Sequence, residues 1–246
     1  MAGPRTLPRR TRRLPWARSL ATAARWPVGV ALTSWRYMWR TTPIHRSERP
    51  GSWAEDAPPP LPDRLVDAEV QRLHHGAGPM FRRRYVASIR DPLLSPEELI
   101  ARLQRDPDVA APSEFATFKK TAGSEDRMRL GDEFVVRMPG PWDGPVRVAE
   151  VSPRSFSLMT LQGHLEAGHI SFRATGGGDR IQFEIESWAR SGDRLSDLLY
   201  DRLRMSKEVQ LHMWTSFLER VIRLSGGTRD GGMRIDTRRV ERVPDC

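Results

Sequence analysis

The fold is decided by residues 133–188, which read EFVVRMPGPWDGPVRVAEVSPRSFSLMTLQGHLEAGHISFRATGGGDRIQFEIESW. Apolar and polar side chains alternate along this stretch with a period of two, which is typical of half-buried strands. Turn signals rich in glycine and proline, as at 139–145 and 176–179, divide it into five segments. Because the connections are short, the pattern predicts an antiparallel meander with one apolar face. The apolar positions are Phe134, Val136, Met138, Val146, Val148, Phe156, Leu158, Ile170, Phe172, Ala174, Ile181, Phe183 and Ile185.

An apolar sheet face needs a cover, and the C-terminal part of the chain offers one. A helical pattern extends from Asp193 to Leu224, and Gly226 and Gly227 are placed to end it. Its length leaves room for a break near Ser206. The apolar stripe consists of Val209, Met213, Phe217 and Ile222, widened by Trp214, Leu218 and Val221. We therefore expect an α+β fold in which the antiparallel meander sheet curves around a long C-terminal helix.

Further elements are predicted ahead of the meander. The alternation at Tyr85, Ala87 and Ile89 indicates a half-buried strand in a domain that begins near Met80. Ser95 to Glu98 forms a capping box with proline at the first helical position, so a helix should extend from there to about Arg105. Residues 63–75 have the apolar spacing of a helix, and residues 115–120 fit either a short strand or a small helix.

The order of these elements resembles the helix-grip fold of START domains and polyketide-cyclase-like proteins (the SRPBCC superfamily). Residues 156–167, FSLMTLQGHLEA, resemble the uncharacterised family DUF1990 (domain of unknown function). Gly163, His164, Glu166 and Gly168 match the Gly-His-x-Glu-x-Gly turn of that family, and residues 181–190 resemble its next strand. His169 departs from the pattern, because the family typically has acidic residues after the last glycine. The resemblance covers about residues 80–225 and implies a cavity between sheet and helix.

The net charge of the chain is concentrated at the N-terminal end. Residues 1–46 contain ten Arg, no Lys and no acidic residue, whereas residues 47–246 carry 30 basic and 31 acidic side chains. Proline is frequent between 43 and 62, which favours an extended linker. The expected organisation is an Arg/Trp-rich arm at 1–46, a linker at 47–62, a helix-grip domain at 63–225 and a flexible charged tail at 226–246.

The basic arm combines tryptophan with arginine, a composition that suits the interface of an anionic membrane. It fits two short amphipathic helices, at 16–26 and 28–40. Alternatively, residues 28–40 could dock on the domain or a partner; a nucleic-acid role is less favoured because the rest of the chain has no positive excess. The residues expected at the membrane interface are Trp16, Arg18, Arg25, Trp26, Trp35, Arg36, Trp39 and Arg40.

Composition also limits the location and the cofactors of the protein. Cys246 is the only cysteine, so an internal disulfide and a multi-cysteine metal site are excluded. No apolar run is long enough to cross a bilayer, and no small-residue cleavage site follows the apolar segment at 26–35, although an organellar transit peptide would have a composition similar to that of the arm. The sequence therefore predicts a cytoplasmic protein, held peripherally on the inner face of the membrane, with no cofactor. The oligomeric state stays open.

His164, Glu166 and His169 are the first candidates for a functional site. Two imidazoles and a carboxylate could bind a metal ion. However, they lie on a hairpin connection, and their H-x-E-x-x-H spacing is not the helical H-E-x-x-H. We therefore favour a polar turn in which His164 hydrogen-bonds the backbone at the rim of the cavity, and we predict no metal site.

The neighbouring strand carries Glu184, Glu186 and Trp188 on the face opposite Ile181 and Phe183. If the apolar face packs on the helix, these carboxylates are solvated; a slip of one residue would instead place them in the cavity. The residues expected to line the cavity or its rim are His164, Glu166, Trp188, Val209, His212, Met213 and Phe217.

Three functions remain open from the sequence. The favoured one is a non-catalytic module that binds an apolar or amphipathic small molecule between sheet and helix. The second is an enzyme of the cyclase or hydrolase type that uses His164 and His212 in the cavity. The third is a protein that binds a partner or nucleic acid through its basic arm.

Overall fold

A large, curved and open sheet with few helices forms the body of the protein. The computed structural model describes residues 6–7, 43–113, 116–138, 143–192 and 205–244, and for residues 6–7 and 205–209 it describes the backbone alone. The eight predicted membrane-interface residues, from Trp16 to Arg40, lie outside the described residues, as do residues 193–204 and Cys246.

The helices and strands have the following bounds, in chain order. They are β1 (Thr6–Leu7), β2 (Ile44–Pro50), α1 (Trp53–Asp56), β3 (Ala77–Arg90), α2 (Pro96–Arg105), β4 (Thr117–Ser124), β5 (Glu133–Arg137), β6 (Asp143–Val151), β7 (Ser155–Thr160), β8 (Glu166–Gly177), β9 (Arg180–Ser191), α3 (Met205–Ser225), β10 (Thr228–Arg229) and β11 (Met233–Val240). Short 3₁₀ turns occupy Asp63–Leu65, Leu73–His75 and Pro107–Val109.

The strand order confirms the predicted antiparallel meander. Strands β4 to β9 are neighbours in sequence order, and β9 then pairs with β3. The sheet continues through β11 to β2, which lies parallel to β11, while β10 pairs with the end of β3. Residues 115–120 had fitted either a strand or a helix, and the strand β4 begins there at Thr117.

One face of the sheet, called the inner face here, carries the main core. Strand alternation places Ile89, Phe156, Phe172 and Phe183 on this face, and all four are fully buried. Side chains from both longer helices complete the core: Leu99, Ile100 and Leu103 of α2, and Phe217, Leu218 and Val221 of α3. Each such side chain contributes about 1.5–3 kcal/mol when it leaves water.

Local sequence signals begin and end these helices as expected. Ser95 Oγ accepts from Glu98 N at 3.2 Å, and Glu98 Oε2 accepts from Ser95 N at 2.8 Å, which is the predicted capping box of α2. Gly226 adopts a φ of +74° directly after α3, a conformation that glycine tolerates best. The helix therefore ends where the sequence indicated.

The helix predicted at 63–75 is wrong. The segment forms two 3₁₀ turns, and between them Val70 makes an antiparallel bridge with Leu161. Gln71 N donates to Thr160 O at 2.9 Å, so the backbone bonds that a helix would use go to the sheet. Leu65, Val66 and Val70 instead cover Met159 and Leu161 on the opposite, outer face of the sheet. Burial on the outer face has decided the structure here over helical spacing.

The ends of the domain also differ from the expected organisation. Residues 233–240, inside the expected flexible tail, form β11 because Met233 and Ile235 alternate with polar residues and are buried. Residues 44–50 form β2, which begins just before the expected linker and extends into it, and residues 53–56 form α1 inside the linker. Pro50 is compatible with β2 because it lies at the end of an edge strand.

Candidate functional site

On one side of α3, four apolar side chains at the border of the core are only partly covered by the described residues. This helix packs mainly on β3 and β9, whereas the inner face of β4 and β5 lies farther along the sheet. Phe118, Val136, Ile170 and Trp214 contact the core but remain only half-buried. The Trp214 ring centroid lies 5.7 Å from that of Phe172 and 6.0 Å from that of Phe217. These half-buried side chains form an apolar surface beside α3 that is partly open to solvent, and this surface is called the gap here.

A chain of polar side chains lies on the inner face at the N-terminal part of α3. Gln210 Nε2 donates to Glu166 Oε1 at 2.6 Å, and Gln210 Oε1 accepts from Arg83 Nη1 at 3.2 Å. The Arg83 guanidinium also lies 4.7 Å from the centroid of the Phe81 ring. One amide of α3 therefore joins a cation on β3 to a carboxylate on β8.

Arg83 is unusual because it lies on the apolar face of a strand and is only 6% exposed. Lys, Glu, Arg and Asp are almost never fully buried unless they are paired. Side chains alternate between the two faces of the sheet along β3, so Arg83 lies between Phe81 and Tyr85 on the inner face. The same alternation was readable in the sequence, and sequence reasoning missed it because Arg83 stands within the run Arg82-Arg83-Arg84.

Tyr85 follows on the same face and is fully buried. Burial raises the pKa of its phenol to about 12, with the nearby charges of Arg83 and Glu166 acting in opposite directions. The phenol therefore stays neutral at physiological pH. Sequence reasoning missed Tyr85 and Gln210 as site residues, because only the fold brings them beside Glu166.

His164 occupies the β7–β8 turn and makes a hydrogen bond to the backbone. Its Nδ1 accepts from Glu166 N at 2.9 Å, which leaves the proton of the neutral ring on Nε2. The ring packs directly over Gly144 of β6: a Cβ there would lie 2.9 Å from Nε2. Burial lowers the pKa of His164, so the ring is neutral at physiological pH.

His169 and Trp188 lie on the outer face, away from the gap. They are paired across β8 and β9, and their ring centroids are 4.9 Å apart. The expectation that Trp188 lines the cavity is corrected by this register: Trp188 shares its face with Glu184 and Glu186, and it packs against Met80 and Val240. His169 is thus separated from Glu166, and the described residues contain no cluster of three metal-ligating side chains.

The two carboxylates beside Trp188 are ion-paired rather than simply solvated. Glu184 accepts from Arg84 Nε at 2.7 Å, and Glu186 accepts from Arg82 Nε at 2.7 Å. Arg82 also contacts the buried Asp56 at 2.9 Å. These pairs hold β3, β9 and α1 together on the outer face, and they contribute no group to the gap.

The predicted residues of α3 lie at different depths. Phe217 is 2% exposed and sits within the aromatic core, 5.5 Å from Phe172 between ring centroids. His212 is buried, and Met213 is half-buried. The side chain of Val209 is outside the described residues. No helix of the described residues is long and apolar enough to cross a membrane.

Comparison with solved structures finds distant similarities, of which three follow. A conserved protein from Geobacillus kaustophilus shares 11% identity with a TM-score of 0.38, over 60% of this chain and 98% of its own. Norcoclaurine synthase from Thalictrum flavum, in complex with dopamine and hydroxybenzaldehyde, shares 7% identity with a TM-score of 0.43, over 65% of this chain and 94% of its own. Protein Ms6760 from Mycobacterium smegmatis shares 16% identity with a TM-score of 0.39, over 67% of this chain and 97% of its own. At these TM-scores none of the three bears on the function of this chain.

No curated protein matches the chain. One family model does match, and it supports the resemblance carried by the Gly163–Gly168 turn. It is the model of DUF1990, described as a domain of unknown function, and it matches residues 113–220.

Proposed function

We propose that this protein is a non-catalytic helix-grip module of the DUF1990 family that binds an apolar or amphipathic small molecule between the inner face of its sheet and α3. The observation that carries the proposal is the meeting of two surfaces beside α3. Half-buried apolar side chains border a gap, and the polar chain of Arg83, Gln210 and Glu166 lies on the same face. An apolar body would displace water from the first surface while a polar group hydrogen-bonds at the second.

Apolar burial at the gap can supply useful affinity. Burial of apolar surface contributes about 25 cal/mol per Å², so a ligand that covers roughly 200 Å² gains about 5 kcal/mol before the costs of association. The buried polar network also favours one orientation of the ligand, because a polar group of the ligand must replace any hydrogen bond that its binding breaks. An amphipathic ligand fits both surfaces, whereas a purely polar ligand fits only one.

The titratable groups of the site support binding rather than catalysis. General acid or base catalysis at neutral pH is most efficient with a pKa near 7. Burial raises the pKa of Tyr85 to about 12 and lowers the pKa of His164, so burial shifts both groups away from the neutral range.

Neighbouring residues of β5 allow a sharp test of the gap. Val136 lies on the inner face against the core, whereas Val135 lies on the outer face, and both are half-buried. The probe is 11-(dansylamino)undecanoic acid, an amphipathic molecule whose fluorescence rises in apolar surroundings. We expect Val136→Trp to fill the gap and weaken probe binding at least tenfold, while Val135→Trp leaves it unchanged. Equal affinities of the two variants, or no binding by the unsubstituted chain, would reject the proposal.

Native mass spectrometry of gently purified full-length protein provides a second test. We expect a bound mass of lipid-like size that is lost in Val136→Trp and kept in Val135→Trp. A chain that carries no added mass in this experiment, and that binds no probe in solution, is not a ligand-binding module.

We propose further that residues 1–46 hold the protein on an anionic membrane surface. Each basic residue near such a surface contributes about 1 kcal/mol, and ten arginines lie in this arm. The test is co-sedimentation of the full chain with phosphatidylglycerol vesicles, with phosphatidylcholine vesicles as the neutral control. We expect binding to the anionic vesicles that decreases with salt and is lost when Trp16, Trp26, Trp35 and Trp39 are all replaced by alanine. Binding to neither vesicle would contradict it.

A further inference from the structure

A pocket lies at the far edge of the sheet, away from α3. It has a volume of about 600 Å³ and forms where the parallel strands β2 and β11 end and separate. Its lining includes Arg49, Pro50 and Trp53 on one side, and Arg239, Val240 and Arg242 on the other. The volume falls within the range of small-molecule sites, which is about 300–1,000 Å³.

The wall of this pocket is held in place by contacts of the backbone. Gly51 N donates to Arg239 O at 2.8 Å, which fixes the point where the two strands part. A Cβ on Gly51 would lie 2.5 Å from Asp56 Oδ2, so a larger residue here would have to displace that carboxylate. Asp56 in turn accepts from Ser52 N at 3.0 Å and pairs with Arg82. The pocket is therefore part of the folded domain.

Trp53 provides a fixed aromatic surface. It packs against the small core of Met80, Trp188 and Val240 on the outer face, and it also lines the pocket. It is only half-buried, so part of the indole faces the pocket. Such an indole offers a flat face for stacking, and its orientation costs little entropy when a ligand binds.

The charges around the pocket favour an anion. Arg239 pairs with Glu241 at 3.1 Å. Arg49 and Arg242 have no ion-pair or hydrogen-bond partner for their side chains within the described part of the chain. Glu48 and Glu241 also line the pocket, so its net formal charge is low. A ligand with one anionic group, placed at Arg49 and Arg242, matches this charge.

We infer that this pocket binds a small planar aromatic anion, with the ring against Trp53 and Pro50 and the anionic oxygens at Arg49 and Arg242. Guanidinium groups bind carboxylate and phosphate oxygens through paired N–H donors, and the same groups stack on flat rings. A phosphate monoester and a carboxylate on the same ring share this chemistry. The pocket is separate from the gap beside α3, so this binding is independent of the function proposed above.

Isothermal titration calorimetry of the full chain tests the inference. The probes are 1-naphthyl phosphate and 1-naphthoate, with 1-naphthol and inorganic phosphate as the uncharged and ring-free controls. We expect both aromatic anions to bind at least tenfold more tightly than either control. Arg49→Ala combined with Arg242→Ala should weaken binding at least tenfold, because two charge-assisted contacts are lost. The relative affinities of the two anions decide whether phosphate or carboxylate is preferred.

Matched variants separate this pocket from the rest of the molecule. Arg105 and Arg127 are exposed and lie toward the opposite edge of the sheet, so their double alanine variant removes the same charge without touching the pocket. Trp53→Ala should abolish binding and Trp214→Ala should leave it intact; if Trp53→Ala fails to fold, the arginine variants decide. The inference is overturned if the aromatic anions do not bind, or if the Arg49/Arg242 variant binds as well as the Arg105/Arg127 variant. Loss of binding in Trp214→Ala with retention in Trp53→Ala would also overturn it.

Discussion

Gln210 Nε2 lies 2.6 Å from Glu166 Oε1, and this hydrogen bond ties α3 to the start of β8. The other end of the same amide accepts from Arg83 of β3 at 3.2 Å. A single side chain of α3 thus joins two strands that are separated by β9 in the sheet. Movement of α3 at this point would break both bonds, so Gln210 holds the helix at a fixed position relative to β3 and β8.

Replacing Gln210 should therefore destabilise the fold. Gln210→Ala leaves the buried guanidinium of Arg83 without this acceptor, and we expect a loss of about 1–3 kcal/mol in the free energy of unfolding. Urea unfolding followed by circular dichroism measures this difference. Arg223→Ala is the control, since Arg223 is exposed on the same helix, and it should change stability by less than about 0.5 kcal/mol. Equal stabilities of the two variants would show that the amide is not a structural link.

His169 on the outer face predicts that the free energy of unfolding decreases at acidic pH. Burial lowers the pKa of His169 from 6.5 to about 4 in the folded chain. The folded state thus favours the neutral ring, so this contribution is complete above pH 6.5 and is lost as the pH falls from 6.5 towards 4. The full difference is about 3 kcal/mol. Burial also lowers the pKa of His164, which acts in the same direction.

Urea unfolding at several pH values between 4 and 7 tests this contribution. His169→Phe keeps an aromatic ring against Trp188 but cannot be protonated, so its stability should decrease less steeply towards pH 4. If His169→Phe shows the same pH dependence as the unsubstituted protein, His169 is not responsible for acid sensitivity.

The sequence predicted the meander and the capped helix because their signals are local. Period two and short glycine-rich turns determine β5 to β9, and Ser95 with Glu98 determines the start of α2. The segment 63–75 could not be predicted in this way, because its structure depends on a distant bridge between Val70 and Leu161. The same apolar residues of this segment would suit a helix or an extended segment packed on the outer face of a sheet. Only the three-dimensional fold decides between these two structures.

The candidate site was predictable only in part. His164 and Glu166 belong to the Gly163–Gly168 turn that the sequence identified. Glu166 accepts a hydrogen bond from Gln210 of α3, and His164 accepts one from the backbone of Glu166. Trp188 was misplaced because one residue of register decides which face it occupies. Arg83 and Gln210 are 127 positions apart in the chain and meet only through the packing of α3 on β3.

Strand β11 predicts that the C-terminal region contributes to stability. Ile235 is 5% exposed and belongs to the main core, whereas Arg234 beside it is exposed. Ile235→Ala should cost about 2–5 kcal/mol because it leaves a cavity. Arg234→Ala should cost less than about 0.5 kcal/mol. Chemical denaturation compares the two. A flexible tail would give no difference between them, so equal stabilities would mean that β11 is not formed in solution.

The final glycine of the Gly163–Gly168 turn should be irreplaceable. Gly168 has a φ of +149°, and a Cβ at this position would lie 1.9 Å from Trp188 O on the neighbouring strand. Since backbone cannot move aside as a side chain can, we expect Gly168→Ala to cost more than about 3 kcal/mol or to prevent folding. Gly178 is the matched control: its φ is +65°, a Cβ there would have open space within 4 Å, and alanine should cost only about 1 kcal/mol. Thermal unfolding of both variants measures the difference. Similar melting temperatures for the two would mean that β8 and β9 separate easily at this point, which would contradict the close pairing of Gly168 with Ala189.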